Sequence, residues 1–343
     1  MKSTNATIED VAAYAGVSTA TVSRCLNHPE KVRDSVKNKV NQAILALKYV
    51  PHGAARALAS RRSRTIGAVV PTLGNAIFSE FIQNLQTILT NANYTLLIAC
   101  SSYCLEQERK EVRSLISRGI DGLVLIGQHH DPDVYAAVDL HKIAYVSLWT
   151  YSADSERSCI GFDNIKAGRE LATHLMEYGH RDIAVVTGYL ENNDRVTQRL
   201  DGVRQIVAQY DGTLSDDGVV ECRYSVEQGR QAVHKIIEAN PQVTAVICSN
   251  DVLALGVLWG AREQGIPVPG ELSVTGFDNM EMIPAIVPAL TTMDSPSSEM
   301  GIGAGKYLID QIEKGRQGVS RVEMVARLIP RDTTGPVAQK KNK

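Results

Sequence analysis

The chain has 343 residues, of which 44% are hydrophobic and 22% are charged. That length exceeds one hydrophobic core, so we expect two or three domains of an ordinary globular protein rather than a fibrous or disordered chain. No apolar run approaches the ~18 residues of a membrane span, and the N-terminus lacks the apolar segment of a signal peptide. The six cysteines lack metal-ligand spacing. We therefore expect a cytoplasmic protein with no metal, no cofactor and no membrane contact.

The near-neutral net charge conceals an uneven distribution along the chain. Residues 1–64 carry a net charge of +7, which leaves −9 on the remainder of the chain. A solvated basic face is the ordinary explanation of such a surplus, but it would not confine the positive charge to one end. A small basic domain attached to an acidic body is typical of nucleic-acid-binding proteins.

Residues 7–26 predict two short helices joined by a tight turn. Thr7 and Asp10 have the spacing of a capping box, Gly16 suits a left-handed helix end, and Ser18 can cap the second helix. This layout is a helix-turn-helix, whose second helix can enter a DNA major groove. A helical hairpin without DNA contacts is the alternative. The side chains expected to read bases are short, with one cation: Ser18, Thr19, Ala20, Thr21, Ser23 and Arg24.

A third helix is predicted over residues 35–47, and a hinge follows it over residues 51–64. The hinge begins with Pro51, is rich in Ala and Arg, and is too short to hold a helix alone in water. Two such segments side by side in a minor groove could each insert an apolar wedge. A plain interdomain linker is the alternative. The expected minor-groove contacts are Ala55, Arg56, Leu58 and Arg61.

From residue 65 onward, apolar strands alternate with amphipathic helices, which predicts parallel sheets covered on both faces. The strands form two groups, so we expect an α/β core of two doubly wound parallel-sheet subdomains joined by crossover strands, behind an all-α head. One crossover strand is predicted at residues 323–328. The expected domains are 1–50 for the helix-turn-helix, 51–64 for the hinge, 65–162 plus 294–322 and 163–293 plus 323–331 for the two subdomains, and 332–343 for a disordered tail.

Polar residues cluster where the predicted strands end, and the string Gly-Phe-Asp-Asn begins at both Gly161 and Gly276. Ligands of parallel sheets bind outside the carboxyl ends of the strands, and a cleft between two subdomains is a favoured site. Helix capping explains any single Asp or Asn, but their convergence favours a hydroxyl-rich ligand.

The arguments for other classes of protein are weaker. A transporter's solute-binding protein would share the core, but it needs export and has no use for a basic head. The run Gly301–Lys306 superficially resembles a phosphate-binding loop, but its spacing is wrong and it lies in a predicted helix, where small residues favour close packing. Without a catalytic triad either, we do not expect an enzyme.

Several motifs together resemble the lactose-repressor/galactose-repressor family of bacterial transcription regulators. These motifs are residues 11–12, 15–18, 21–24, 49–51, 55–59, 66–67, 276–278 and 290–292. The resemblance implies a homodimeric regulator, a repressor by expectation, that binds a palindromic double-stranded DNA operator. It also implies a core like that of periplasmic sugar-binding proteins, with a small-molecule effector in the cleft between the subdomains.

Carried over position by position, the resemblance places effector contacts at eight residues: Thr72, Ile77, Phe78, Trp149, Arg195, Arg199, Asn250 and Asp278. A sugar or sugar acid is the expected effector, and a nucleobase or nucleoside is the alternative. The sequence departs from the family at His52, where Asn is usual, and at Trp149, where the lactose repressor has Asp. Trp149 could stack on a sugar face or lie in the core. The tail has no leucine heptad, which argues against a tetramer formed through a coiled coil.

Overall fold

The computed structural model describes residues 6–50, 62–315 and 318–337 of the chain. The chain divides into two compact units, with the boundary along the sequence between Arg64 and Thr65. Most of the predicted hinge falls outside the described residues. The expected minor-groove residues Ala55, Arg56, Leu58 and Arg61 all lie in that part, and so does His52.

The first unit contains three α-helices: α1 (Ile8–Ala15), α2 (Thr19–Asn27) and α3 (Asp34–Leu47). The predicted capping box is confirmed, since the Thr7 backbone donates to Asp10 Oδ2 at 2.8 Å and the Asp10 backbone donates to Thr7 Oγ1 at 3.3 Å. Gly16 ends α1 with a φ of 66°, as predicted. The buried core is small and aliphatic, with one aromatic: Val11, Ala12, Ala15, Val22, Val40, Ala43 and Tyr49.

The second unit begins with alternating strands and helices. These are β1 (Thr65–Val70), α4 (Ala76–Asn91), β2 (Thr95–Cys100), α5 (Leu105–Ser117), β3 (Gly122–Ile126), α6 (Pro132–Leu140), β4 (Ala144–Leu148) and β5 (Cys159–Gly161). The alternation resumes with α7 (Asn164–Glu177), β6 (Ile183–Thr187), α8 (Asp194–Gln209), β7 (Val219–Glu221), α9 (Val226–Ala239), β8 (Ala245–Cys248), α10 (Asp251–Glu263) and β9 (Ser273–Asp278). The final elements are β10 (Thr291–Asp294), α11 (Ser297–Lys314), β11 (Arg321–Glu323) and β12 (Arg327–Ile329).

These strands form two six-stranded sheets, ordered β11-β5-β4-β3-β1-β2 and β12-β10-β9-β8-β6-β7. Neighbouring strands are parallel except for the antiparallel pair β10 and β12. The central strands are buried on both faces, as their continuous apolar sequences predict. The two subdomains expected in the core are therefore present. None of the described helices is both long and apolar enough to cross a bilayer.

The predicted single crossover strand at residues 323–328 is wrong. The chain there forms two short strands in different sheets, because β11 pairs with β5 while β12 pairs with β10. One short stretch of chain thus supplies an edge strand to each sheet, and the chain crosses between the subdomains in the residues that separate the two strands. A sequence pattern cannot show a change of pairing partner.

The glycines in the run Gly301–Lys306 serve helix packing. An added Cβ at Gly301 would lie 2.6 Å from the Phe81 carbonyl oxygen, and one at Gly305 would lie 2.7 Å from the Ile88 side chain. Helix α11 therefore packs closely on α4 through these small residues. The packing interpretation of the glycine run is confirmed.

The expectation of a disordered tail is wrong for residues 332–337. Thr333 is fully buried and its hydroxyl donates to the Val274 carbonyl at 2.7 Å. The Gly335 backbone donates to Ser273 Oγ at 3.1 Å, and the Val337 backbone donates to the Tyr178 carbonyl at 2.9 Å. This segment satisfies polar groups near the start of β9, which outweighs its disorder-like composition. Residues 338–343 lie outside the described part of the chain.

Candidate DNA-reading helix and effector cleft

Helix α2 has one buried side and one exposed side. Val22 is fully buried in the core of the first unit. Ser18 caps the helix by accepting the Thr21 backbone N–H at 3.2 Å, and its hydroxyl lies 2.9 Å from Thr21 Oγ1. Of the predicted base readers, Ser18, Thr19, Ala20 and Arg24 are exposed, whereas Thr21 and Ser23 are half-buried. This side of the helix has no bulky group to keep it away from base edges.

The carboxyl ends of strands from both sheets meet around a small cavity in the second unit, with a volume of about 40 Å³. Thirteen residues line the cavity: Asn75, Ile77, Phe78, Tyr103, Trp149, Asn193, Arg195, Val196, Arg199, Tyr224, Ser249, Asn250 and Asp278. Seven of the eight residues predicted to bind an effector are among them.

Thr72 is the predicted effector residue that the structure does not bring to the cavity. Its hydroxyl accepts the Gly74 backbone N–H at 3.0 Å and so stabilises the loop after β1. Asn75, at the end of the same loop, lines the cavity instead and caps α4 through a bond from the Ile77 backbone.

Arg199 is held rigidly by groups of its own subdomain. Its Nε donates to Asn164 Oδ1 at 2.8 Å, and its Nη1 donates to the Ser249 carbonyl at 3.1 Å. The guanidinium carbon lies 3.6 Å from the centre of the Phe277 ring. Burial lowers the pKa of Arg199 to about 10, against the opposing effect of Asp278, so the side chain remains a cation at neutral pH.

Asp278 is buried at the end of β9, and its carboxyl faces Arg199 and Ser295. Burial raises the pKa of Asp278 to about 8; Arg199 and the bond from Ser295 oppose that shift, while Asp251 adds to it. A carboxyl that keeps its proton near neutral pH can donate as well as accept a hydrogen bond. Its φ of 106° is unfavourable for any side chain, and such strain is concentrated at ligand sites.

Trp149 is both a core residue and a wall of the cavity. Its indole is 3% exposed and meets Phe78 and Phe81 edge to face, with centroids 5.2 and 5.1 Å apart. Its φ of 57° turns the chain sharply after β4. The ring is therefore fixed by packing, and it presents little open face for stacking.

Two buried amide atoms at the cavity have no hydrogen-bond partner among the described residues: Asn193 Oδ1 and Asn250 Nδ2. Asn250 uses its oxygen to cap α10, by accepting the Leu253 backbone N–H at 2.9 Å, so its nitrogen remains available. Buried polar atoms in folded proteins are almost always paired. An unpaired acceptor and an unpaired donor beside one cavity therefore complement a ligand that both donates and accepts.

Tyr103 and Tyr224 bring aromatic rings to the cavity from opposite subdomains. Their centroids lie 5.6 Å apart. Burial raises the pKa of both hydroxyls, so they remain protonated donors. Sequence reasoning missed both tyrosines, together with Asn193 and Ser249. Tyr103 follows strand β2 and Tyr224 follows strand β7, and no Asp-Asn string marks the end of either strand.

A larger groove of about 1070 Å³ opens beside the crossover segments. It shares Ile77 and Asp278 with the cavity but includes none of Trp149, Arg199 and Asn250. Several carboxylates line it without a comparable convergence of aromatic and polar groups. The smaller cavity is therefore the better candidate for an effector site.

Comparisons with known proteins identify the family of this chain. Residues 7–52 match the family "Bacterial regulatory proteins, lacI family", and residues 172–334 match "Periplasmic binding protein-like domain". The repressor PurR of Vibrio cholerae is 31% identical over 96% of this chain and 98% of its own length. The chain belongs to the lacI family. It is thus a DNA-binding transcriptional repressor and not an enzyme.

Two solved structures extend the comparison to function. The lac repressor dimer bound to operator and the anti-inducer ONPF superimposes with a TM-score of 0.84 at 25% identity, covering 97% of this chain and 100% of that one. The regulator CelR in complex with cellobiose gives a TM-score of 0.71 at 25% identity, covering 96% and 99% of the two chains.

In the described part of this lacI-family repressor, no cluster of His, Cys, Asp and Glu could hold a metal ion.

Proposed function

We propose that this lacI-family repressor binds a palindromic operator as a cytoplasmic homodimer and that a small polyhydroxylated effector in the cleft switches its affinity. The unpartnered pair Asn193 Oδ1 and Asn250 Nδ2 carries this proposal. Hydroxyl groups complement both atoms, because a hydroxyl can donate to the first and accept from the second. Arg199 can pair a carboxylate or further hydroxyls, which supports a sugar or sugar acid.

The effector acts on DNA through the position of the subdomains. Cleft closure changes how the first subdomains of two protomers are placed, and this placement decides whether two hinge segments meet and fold on DNA. The exposed side of α2 then reads the major groove, while Ala55, Arg56, Leu58 and Arg61 contact the minor groove. The lac repressor dimer on its operator supports this arrangement. The open and closed states of the cleft thus couple the two binding affinities: the effector changes the affinity for the operator, and the operator changes the affinity for the effector by the same factor.

A nucleobase or nucleoside is the second candidate effector. The pair Tyr103 and Tyr224 favours it, because aromatic rings at a cleft can stack on a planar heterocycle. The same unpaired amide atoms would then read the edge of the base. A nucleobase or nucleoside would gain most of its affinity from the tyrosine rings. A sugar would gain it from the side chains that bind hydroxyls, namely Asn193, Asn250 and Arg199.

A thermal-shift screen of the full chain tests the effector class. The panel contains ribose, cellobiose, gluconate, adenosine, cytidine and hypoxanthine, each up to millimolar concentration. A ligand at about 100 times its Kd stabilises the folded protein by about 2.7 kcal/mol. Asn193→Ala should abolish the shift, and Asp216→Asn, an exposed acidic residue, should leave it unchanged. A shift that survives Asn193→Ala would reject the cavity, and a shift with bases alone would replace the sugar proposal.

A further inference from the structure

The segment that leaves β3 contacts the beginning of α8, which belongs to the other subdomain. The Gln128 backbone N–H donates to Asp194 Oδ2 at 2.7 Å. Arg195 Nη1 donates to the Ile126 carbonyl at 2.8 Å and lies 3.3 Å from Asp194 Oδ1. Both charged side chains are nearly buried, with 16% of Asp194 and 9% of Arg195 exposed. Charge-assisted bonds in such surroundings are stronger than bonds between neutral groups.

The receiving segment is braced from its own side. His130 Nε2 lies 3.0 Å from the Gly127 carbonyl, and His130 Nδ1 lies 2.7 Å from Glu108 Oε1. The Tyr135 hydroxyl donates to the Gln128 carbonyl at 2.9 Å. The segment therefore presents its carbonyl and amide groups to α8 in a fixed orientation, so the cross-cleft bonds form with little ordering cost.

Gly127 permits this close approach. Its φ of 88° is left-handed, and a Cβ at this position would overlap Arg195 Nη1 and Asp194 Oδ1. The start of α8 also suits an acid, because Asp194 occupies the first helical turn, where the helix dipole favours negative charge.

We propose that Asp194 and Arg195 form a latch with residues Ile126–Gln128 that holds the two subdomains of the core closed. Arg195 lines the effector cavity, but its Nη1 bonds the opposite subdomain. The latch sets the energy gap between the open and closed cleft, and this gap scales the apparent affinity for any ligand that prefers one state. The regulatory consequence rests on the proposed effector function, whereas the latch itself needs neither ligand nor DNA.

Hydrogen–deuterium exchange of the full chain, without ligand or DNA, tests the latch. In Asp194→Asn and in Gly127→Ala, amides of residues 126–130 should exchange about tenfold faster than in the parent chain. Small-angle X-ray scattering should show a larger radius of gyration for both variants. Asp216→Asn, which removes an acid from an exposed ion pair with Arg204, is the control and should change neither measurement.

Unchanged exchange in Asp194→Asn would overturn the proposal. Faster exchange at an unchanged radius of gyration would also overturn it, since that result means local loosening without opening of the cleft. Asp194→Asn preserves side-chain size, so circular dichroism should show the parent fold and keep the test valid if Gly127→Ala misfolds. Because no effector is present, failure of the latch and failure of the effector proposal are separate outcomes.

Discussion

Burial decides which charge each side chain of the cleft carries. Arg199 remains a cation in spite of desolvation, because the pKa of a guanidinium begins so high. For Asp278 the result is the opposite, because burial raises its pKa and favours the neutral, protonated carboxyl near neutral pH. The cleft thus combines one fixed cation with one carboxyl that titrates close to neutral pH.

Asp278→Asn should flatten the dependence of stability on pH above neutrality. A carboxyl whose pKa is about 8 when folded, against 3.8 ordinarily, binds an extra proton on folding. Its stabilising contribution is complete below the ordinary value and is lost as pH rises through the folded one. His174 and His180 have lowered pKa values, so their contribution is lost only as pH falls below about 6.5.

Urea unfolding at pH 7 and pH 8.5 measures this effect. The comparison with Asp278→Asn isolates the one carboxyl, because other groups that titrate in that window, such as the buried thiols of Cys222 and Cys248, are the same in both proteins. The parent chain should lose about 1 kcal/mol more than Asp278→Asn across it. Asp251, whose pKa burial raises to about 7, leaves a smaller residual slope in the variant. An identical slope in the two proteins would show that Asp278 is ionised in the folded state throughout.

Arg24→Ala should relax base preference if the guanidinium reads a guanine. Arg24 is exposed in the last turn of α2, so the loss should be about 1–3 kcal/mol on the preferred site and small on sites altered at the contacted base. Fluorescence anisotropy on a site obtained by in vitro selection, and on its single-base variants, gives both values. Arg33→Ala, an exposed cation of the same unit, is the control for charge alone. Equal weakening on every sequence would assign Arg24 to phosphate.

At the level of elements, glycines set the separation of the helices that carry the site. A Cβ at Gly168 of α7 would overlap the Arg199 carbonyl of α8, and one at Gly202 would overlap the Ile165 carbonyl. The pair α9 and α10 approaches in the same way through Gly229 and Gly256. Arg199 therefore owes its position to a helix contact that only glycine permits.

Gly168→Ala should destabilise the protein by about 1–3 kcal/mol through overpacking, and it should weaken effector binding by displacing Arg199. Gly303→Ala in α11 is the matched control, because the nearest atom to its Cβ would be 3.5 Å away. That variant should be neutral or up to about 1 kcal/mol more stable, since alanine favours a helix. Urea titration of both variants and the parent chain measures these changes in the free energy of unfolding. Equal effects would mean that helix propensity, not spacing, controls these positions.

At the scale of the whole molecule, residues 333–337 pack onto the second subdomain. Residues 333–337 contact groups from elements far apart in sequence, and His180 Nε2 lies 3.0 Å from the Gly335 carbonyl. The buried pair Thr291 and Thr334 lies 2.9 Å apart between hydroxyl oxygens. Residues 333–335 therefore belong to the core of this subdomain.

A chain that stops at residue 332 should lose at least about 3 kcal/mol of stability relative to the full chain. Removal of residues 333–343 leaves the Val274 carbonyl, Ser273 Oγ and His180 Nε2 without their hydrogen bonds to Thr333 and Gly335. Each buried polar group left unpaired costs about 1–3 kcal/mol. A chain that stops at residue 337 keeps these bonds and should match the full chain. Thermal unfolding compares the three proteins, and equal midpoints for all of them would refute the role of this segment.

The sequence alone determined the local elements and the general location of the cleft. Capping at Thr7 and Ser18, the apolar strands, and Asp or Asn at strand ends are signals contained within a few neighbouring residues, so periodicity and cap chemistry reveal them. Tertiary structure alone decided which distant groups meet. Tyr103 with Tyr224, Asp194 with Gln128, and Thr333 with Val274 pair across the fold, because pairing and desolvation depend on three-dimensional proximity that no local pattern encodes.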